Sequence, residues 1–92
     1  MKPTEALEFA RGAARFRQLR FAKPHAVERM QERGATQEDV SEAILTAKQV
    51  TPSKQHRNRW QLTGGCDLDG EPLDVVFAVD GNVVTVVTLF GE

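Results

Sequence analysis

The chain has 92 residues, 40% apolar and 27% charged, with a formal net charge of −1. These values predict a single domain, 1–92, with one modest core, since roughly 60–70% of the unfolded surface can be buried at this length. The one cysteine, Cys66, cannot form an internal disulfide, so no oxidising compartment is required and a cytoplasmic location is expected. The longest apolar run, Val83–Phe90, is interrupted by Thr85 and Thr88 and falls far short of the roughly 20 residues that span a bilayer. Glu5, Glu8, Arg11 and Arg15 stand where a signal peptide would be continuously apolar. No membrane partner is expected.

The small net charge hides an asymmetry. Residues 1–60 hold all twelve Lys and Arg against seven acids, whereas residues 61–92 hold six acids and no base. A protein that binds nucleic acid nonspecifically is usually basic overall, because affinity grows with the number of phosphates neutralised. A localised basic site remains open, and self-association or a charged protein partner fits a polarised surface equally well.

In chain order, Thr4–Leu19 reads as an amphipathic helix with Thr4 as N-cap. Ala6, Phe9, Ala10, Ala13 and Phe16 recur at three- and four-residue spacing. Its Phe9 and Phe16 face is expected to pack on the domain or on a second copy. Arg20–Lys23 reads as an extended link, because Pro24 biases Lys23 away from helical torsions. Pro24–Arg33 is a second helix, closed by Gly34. Thr36 then caps a third helix with Asp39 three residues on and Val40, Ala43, Ile44 and Ala47 along one face.

After Lys48 the pattern turns to alternation. Strands are predicted at Gln49–Thr51, Arg57–Thr63, Pro72–Val79 and Val83–Phe90, with turns at Asp69-Gly70 and Asp80-Gly81-Asn82. The fold class is therefore α+β, with N-terminal helices packed on one face of a four-stranded, mainly antiparallel sheet.

Two basic clusters carry the candidate chemistry. On the second helix, His25, Arg29 and Arg33 fall within about an 80° arc beside the apolar face. This is either a solvated face laced with ion pairs to Glu28 and Glu32, or an anion site helped by free N–H groups in the first turn. The second cluster is Lys54, His56, Arg57 and Arg59, a candidate RNA-binding group. Alternation places Arg57 and Arg59 opposite Trp60 and Leu62, so the arginines either bind phosphate or protect an edge strand. Trp60 is expected in the core, with base stacking as the alternative. His25, His56, Cys66 and Asp67 lack the spacing of a zinc site, so no metal and no cofactor is expected. Gly64-Gly65 reads as a turn or bulge and Cys66 as an idle thiol.

The run His25-Ala26-x-x-Arg29-Met30-x-x-Arg33-Gly34, followed by Asp39-Val40 and Ala43-Ile44, resembles a family of small uncharacterised bacterial domains. That family opens with an H-A-x-x-R-M-x-x-R-G helix and closes with a strand similar to Val87-Thr88-Leu89-Phe90. It is similar in turn to metal-independent ribonuclease toxins of the barnase, EndoU, colicin and RelE type. The resemblance covers residues 21–90 and leaves 1–19 as a helical extension. It implies a RelE- or barnase-like fold, RNA as substrate, and an antitoxin or immunity protein as partner. It also implies a catalytic constellation of His25, Arg29, Arg33 and Thr88.

In such an enzyme the RNA 2′-hydroxyl is the nucleophile. The protein has only to move protons and neutralise charge on phosphorus. Two departures stand out. Ala22, Lys23 and Pro24 occupy the place of a small hydroxyl residue, and Phe90 replaces a tyrosine in a chain that has no tyrosine at all. A noncatalytic RNA- or protein-binding domain of the same fold, or a structural subunit that forms a homodimer through its first helix, therefore remains as an alternative.

Overall fold

Alternating burial along the C-terminal half builds the frame of the molecule. The computed structural model describes residues 1–91, in the order α1 (Pro3–Arg15), β1 (Arg20–Phe21), α2 (His25–Arg33), α3 (Gln37–Thr46), β2 (Gln49–Pro52), β3 (Arg59–Thr63), β4 (Leu73–Asp80) and β5 (Val83–Gly91). On β4, Leu73, Val75, Phe77 and Val79 are buried while Asp74, Val76 and Ala78 are half-exposed, the signature of a sheet covered on one side. Trp60 and Leu62 of β3 join the buried set, and Trp60 stacks on its cross-strand partner Phe77 with ring centroids 5.8 Å apart.

The sheet has five strands, not four, in the order β1-β5-β4-β3-β2. Arg20–Phe21, expected as a link, pairs parallel to β5 with Arg20 opposite Thr85 and Phe21 opposite Val86, so the sheet is mixed. Two residues are too few to show alternation, and only the tertiary pairing reveals this strand. β3 starts at Arg59 rather than Arg57, because Arg57 and Asn58 lie in the turn that precedes it. β3 is also internal; the edge strands are β1 and, beside β3, β2.

β5 carries a register shift. Val86 pairs with Phe77 but Thr88 pairs with Val76, which leaves Val87 as an extra residue in a β-bulge. Without it, Thr88 would follow Val84 and Val86 into the core. The bulge turns Thr88 to the uncovered face and sends Leu89 inward, where it is 1% exposed.

The helices pack on the covered face, where Ala26, Val40, Ala43 and Ile44 join the same core as the inward strand residues. α1 differs from expectation at three points. Lys2 is its N-cap, with Pro3 in the first turn and the Glu5 carboxylate accepting from the Lys2 N–H at 3.3 Å. It ends at Arg15, because Arg17 adopts a left-handed φ of 55° and the Gln18 N–H donates back to the Ala13 carbonyl at 2.8 Å. It buries Ala6, Ala10, Ala13 and Ala14, leaving Phe9 and Phe16 exposed. Its hold on α3 includes Arg11, whose Nη2 donates to the Ala47 carbonyl at 2.9 Å, at the end of α3 where a cation is favoured.

α2 ends as expected, with Gly34 at φ 68° and the Ala35 N–H donating to the Met30 carbonyl. The Lys23-Pro24 peptide is cis. α3 begins with the expected box: Thr36 Oγ1 accepts from the Asp39 N–H at 3.1 Å and Asp39 Oδ2 accepts from the Thr36 N–H at 2.9 Å. Asp39 Oδ1 also accepts from the Leu68 N–H at 3.1 Å, which ties the β3–β4 connection to α3. Gly65 sits so close to α3 that a Cβ there would collide with the Ala43 carbonyl oxygen. Cys66 is half-buried beside it, its N–H donating to Thr46 Oγ1 at 3.0 Å.

Two predictions follow from this architecture. Urea denaturation should show Leu89→Ala costing about 2–5 kcal/mol and Thr88→Ala less than about 1 kcal/mol, because the bulge buries the first and not the second. Hydrogen bonds from the Thr36 and Leu68 backbone lower the Asp39 pKa below its ordinary 3.8. A carboxylate whose pKa falls on folding contributes stability above its unfolded value and loses that contribution as the pH drops through the folded one. Melting temperatures below about pH 4 should therefore fall less steeply in Asp39→Asn than in the wild type, while Thr36→Ala should cost about 1 kcal/mol at neutral pH.

Candidate functional site

α2 follows β1 directly and packs against β5, whose second half has no strand partner on that side beyond Phe21. Helical spacing carries His25, Arg29 and Arg33 along this edge, and all three are exposed. They are not equally free. Arg33 reaches over the end of β5: its Nη2 lies 3.5 Å from the Pro72 carbonyl, and a Cβ on Gly91 would overlap its guanidinium. Arg29 forms a long, exposed ion pair with Glu32 at 3.9 Å. This is the only ion pair among the described residues, and an exposed pair of that length holds its arginine weakly. No hydrogen bond to the His25 ring is formed among the described residues.

Thr88 lies half-exposed on the uncovered sheet face, one position from the bulge. Registers continue its row across the sheet through Val76 and Gln61 to Thr51. At the far end is a hollow of about 330 Å³, lined by Thr51, Ser53, Lys54, Gln61 and Val76 among others. Lys54 thus borders the same face that Thr88 opens onto. Ser53 shapes the loop, its Oγ accepting from the Gln55 and His56 N–H groups at 3.2 and 3.3 Å.

The second cluster divides. Lys54, His56 and Arg57 are exposed in the β2–β3 loop, and Arg59 is half-exposed on the uncovered face. β4 and β5 separate this group from α2, so the two clusters flank the sheet from opposite sides. Trp60 is 3% exposed and engaged with Phe77, which removes it as a stacking platform. With β3 internal, Arg57 and Arg59 do not protect an edge. A further cation escaped the sequence reading: Arg20 stands in one row with Thr85, Ala78 and Arg59. Arg20 and Arg59 are therefore three strand spacings apart, about 14 Å. No sequence signal marks Arg20, because its face is set by the parallel pairing with β5.

No group of three or more His, Cys, Asp or Glu side chains arranged to hold a metal ion occurs among the described residues. No described helix is long and apolar enough to cross a membrane.

Residues 22–90 match the family described as Domain of unknown function (DUF4258). The chain belongs to this family. Comparisons with curated proteins and with solved structures give no match. In this DUF4258 domain the matched segment holds α2, α3 and β2 to β5, and with them both basic clusters and Thr88. α1 and Arg20 precede it.

The exposed cations make little contact with the fold. His25→Gln, Arg29→Ala and Lys54→Ala should each change unfolding free energy by less than about 0.5 kcal/mol, read from chemical denaturation.

Proposed function

We propose that this DUF4258 domain binds RNA along the α2–β5 edge and the uncovered sheet face, and cleaves it without a metal ion. One observation carries the reading: α2 packs against β5, and the Val87 bulge turns Thr88 outward from that strand. His25 and Arg29 stand on α2 at the covered side of β5 and Thr88 opens onto the other face of the same strand, so RNA held by all three would wrap the open edge of β5 and run on across the uncovered face towards Lys54. The His25–Gly34 motif supports the same reading only through the resemblance of its family to ribonuclease toxins that the sequence suggests.

In this mechanism His25 takes the proton of the RNA 2′-hydroxyl as that oxygen attacks phosphorus. Arg29, with Arg33 at the end of β5, neutralises the charge that grows on the phosphate oxygens. Thr88 holds a phosphate oxygen or a water. The P–O5′ bond breaks, the 5′-oxygen takes up a proton, and the products are a 2′,3′-cyclic phosphate and a 5′-hydroxyl. Phe90 offers no phenol for that last proton, so His25 or water must return it. The surface that holds RNA is also the one that an antitoxin or immunity protein would cover.

Purified protein should cleave RNA in excess EDTA, leave 2′,3′-cyclic ends and spare DNA, whose lack of a 2′-hydroxyl removes the nucleophile. His25→Gln and Arg29→Ala should each lower turnover by about 10²-fold or more, with unchanged melting. Cleavage that vanishes with EDTA, or survives in both variants, places the chemistry elsewhere.

A second reading rests on the His25 ring, which has no hydrogen-bond partner among the described residues to orient it. With no tyrosine in the chain either, the domain would bind RNA and not cut it. Gel-shift experiments would then show retention of RNA at full length, weakening as salt rises.

A further inference from the structure

α1 presents a second face that the fold does not use. At 100° per residue, Glu5, Glu8, Phe9, Arg15 and Phe16 all lie within about 60° of Gly12 around the helix. Phe9 is 40% exposed and Phe16 73%, and with Glu5, Glu8 and Gly12 they line an open groove of about 480 Å³. Gly12 is the unexpected member. Glycine inside a helix lowers its stability, yet a Cβ at this position would meet nothing within 4 Å. Nothing within the protomer therefore requires a glycine there.

We infer that this face pairs antiparallel with the same face of a second copy of the chain, with Gly12 at the two-fold axis. The stripe is complementary to itself: acids occupy its N-terminal half and Arg15 its C-terminal half. An antiparallel arrangement brings Glu5 and Glu8 of each protomer towards Arg15 of its partner. A parallel arrangement would set like charges together. Gly12 lets the helices approach at the centre, and Phe9 and Phe16 of each protomer cover the other's stripe on either side. The helix dipoles also oppose in this arrangement. A different partner would have to supply the same charge order itself, whereas a second copy supplies it without further requirement. The inference is independent of any action on RNA.

Sedimentation equilibrium on the full chain tests it. The wild type should show a concentration-dependent monomer–dimer equilibrium. Gly12→Leu adds bulk only outside the protomer, so it should leave the melting temperature of dilute monomer unchanged or raised while weakening the dimer at least about tenfold. Glu8→Arg should weaken it roughly tenfold, and adding Arg15→Glu to that variant should restore it, since the exchanged charges again face opposite partners. A wild type that stays monomeric up to about 1 mM would overturn the inference. So would a dimer indifferent to both single substitutions, and a failure of the charge exchange to restore pairing would overturn the antiparallel arrangement.

Discussion

β5 is the strand on which β1, β4 and α2 converge, and its single extra residue decides which of its side chains reach solvent. An unbroken alternation from Val84 would place Thr88 against the helices and Leu89 outside, an unpaired hydroxyl in the core and a leucine in water. The bulge at Val87 removes both costs at once. It also lies just past the end of β1, where β5 keeps β4 on one side but has no strand on the other, and α2 packs against it. The bulge sets the direction of Thr88, and the two-residue length of β1 leaves open the edge beside α2.

The uneven charge of the chain becomes intelligible once the acids are followed to their partners. Asp39 accepts from Thr36 and Leu68, and Asp67 Oδ1 accepts from the Asp69 and Glu71 N–H groups at 2.9 Å each, closing the turn before β4. These carboxylates are committed to backbone N–H groups at a helix start and a turn, where a negative charge is favourable. They do not neutralise the cations. Apart from the weak Arg29–Glu32 pair, the arginines and lysines of the first sixty residues stand without ion-pair partners among the described residues. A net charge of −1 thus coexists with a surface that presents unpaired cations on two flanks of the sheet.

Much of the fold was legible because short-range chemistry specifies it. Thr36 and Asp39 satisfy helix N–H groups three residues apart, Gly34 tolerates a left-handed φ, and the strands after Lys48 alternate as a one-sided sheet requires. Readings that depend on distant pairing were not legible. β1 has only two residues, and the side it shows follows from the strand beside it. The bulge sits inside Val86-Val87-Thr88, where no glycine or proline marks it. The site was legible in part. The spacing of His25, Arg29 and Arg33 along a helix and the burial of Trp60 can be read directly, but the packing of α2 on Thr88's strand and the engagement of Arg33 at Gly91 are tertiary facts.

The choice α1 makes between its two candidate faces shows why periodicity alone misleads. Alanine and phenylalanine recur together at helical spacing, and a hydrophobicity count favours burying the larger side chains. The opposite arrangement occurs because α1 lies against α3 and also reaches β2, β4 and β5, so its inner face must be thin enough to approach all of them. Four alanines allow that approach, and two of them are fully buried. The approach also brings Arg11 within reach of the Ala47 carbonyl, although its Nε is buried without a partner. A bulky inner face would break that contact and lift α1 from the core. Close packing inside therefore forces the phenylalanines outside, and the exposed aromatic stripe is a consequence of how the helix is held.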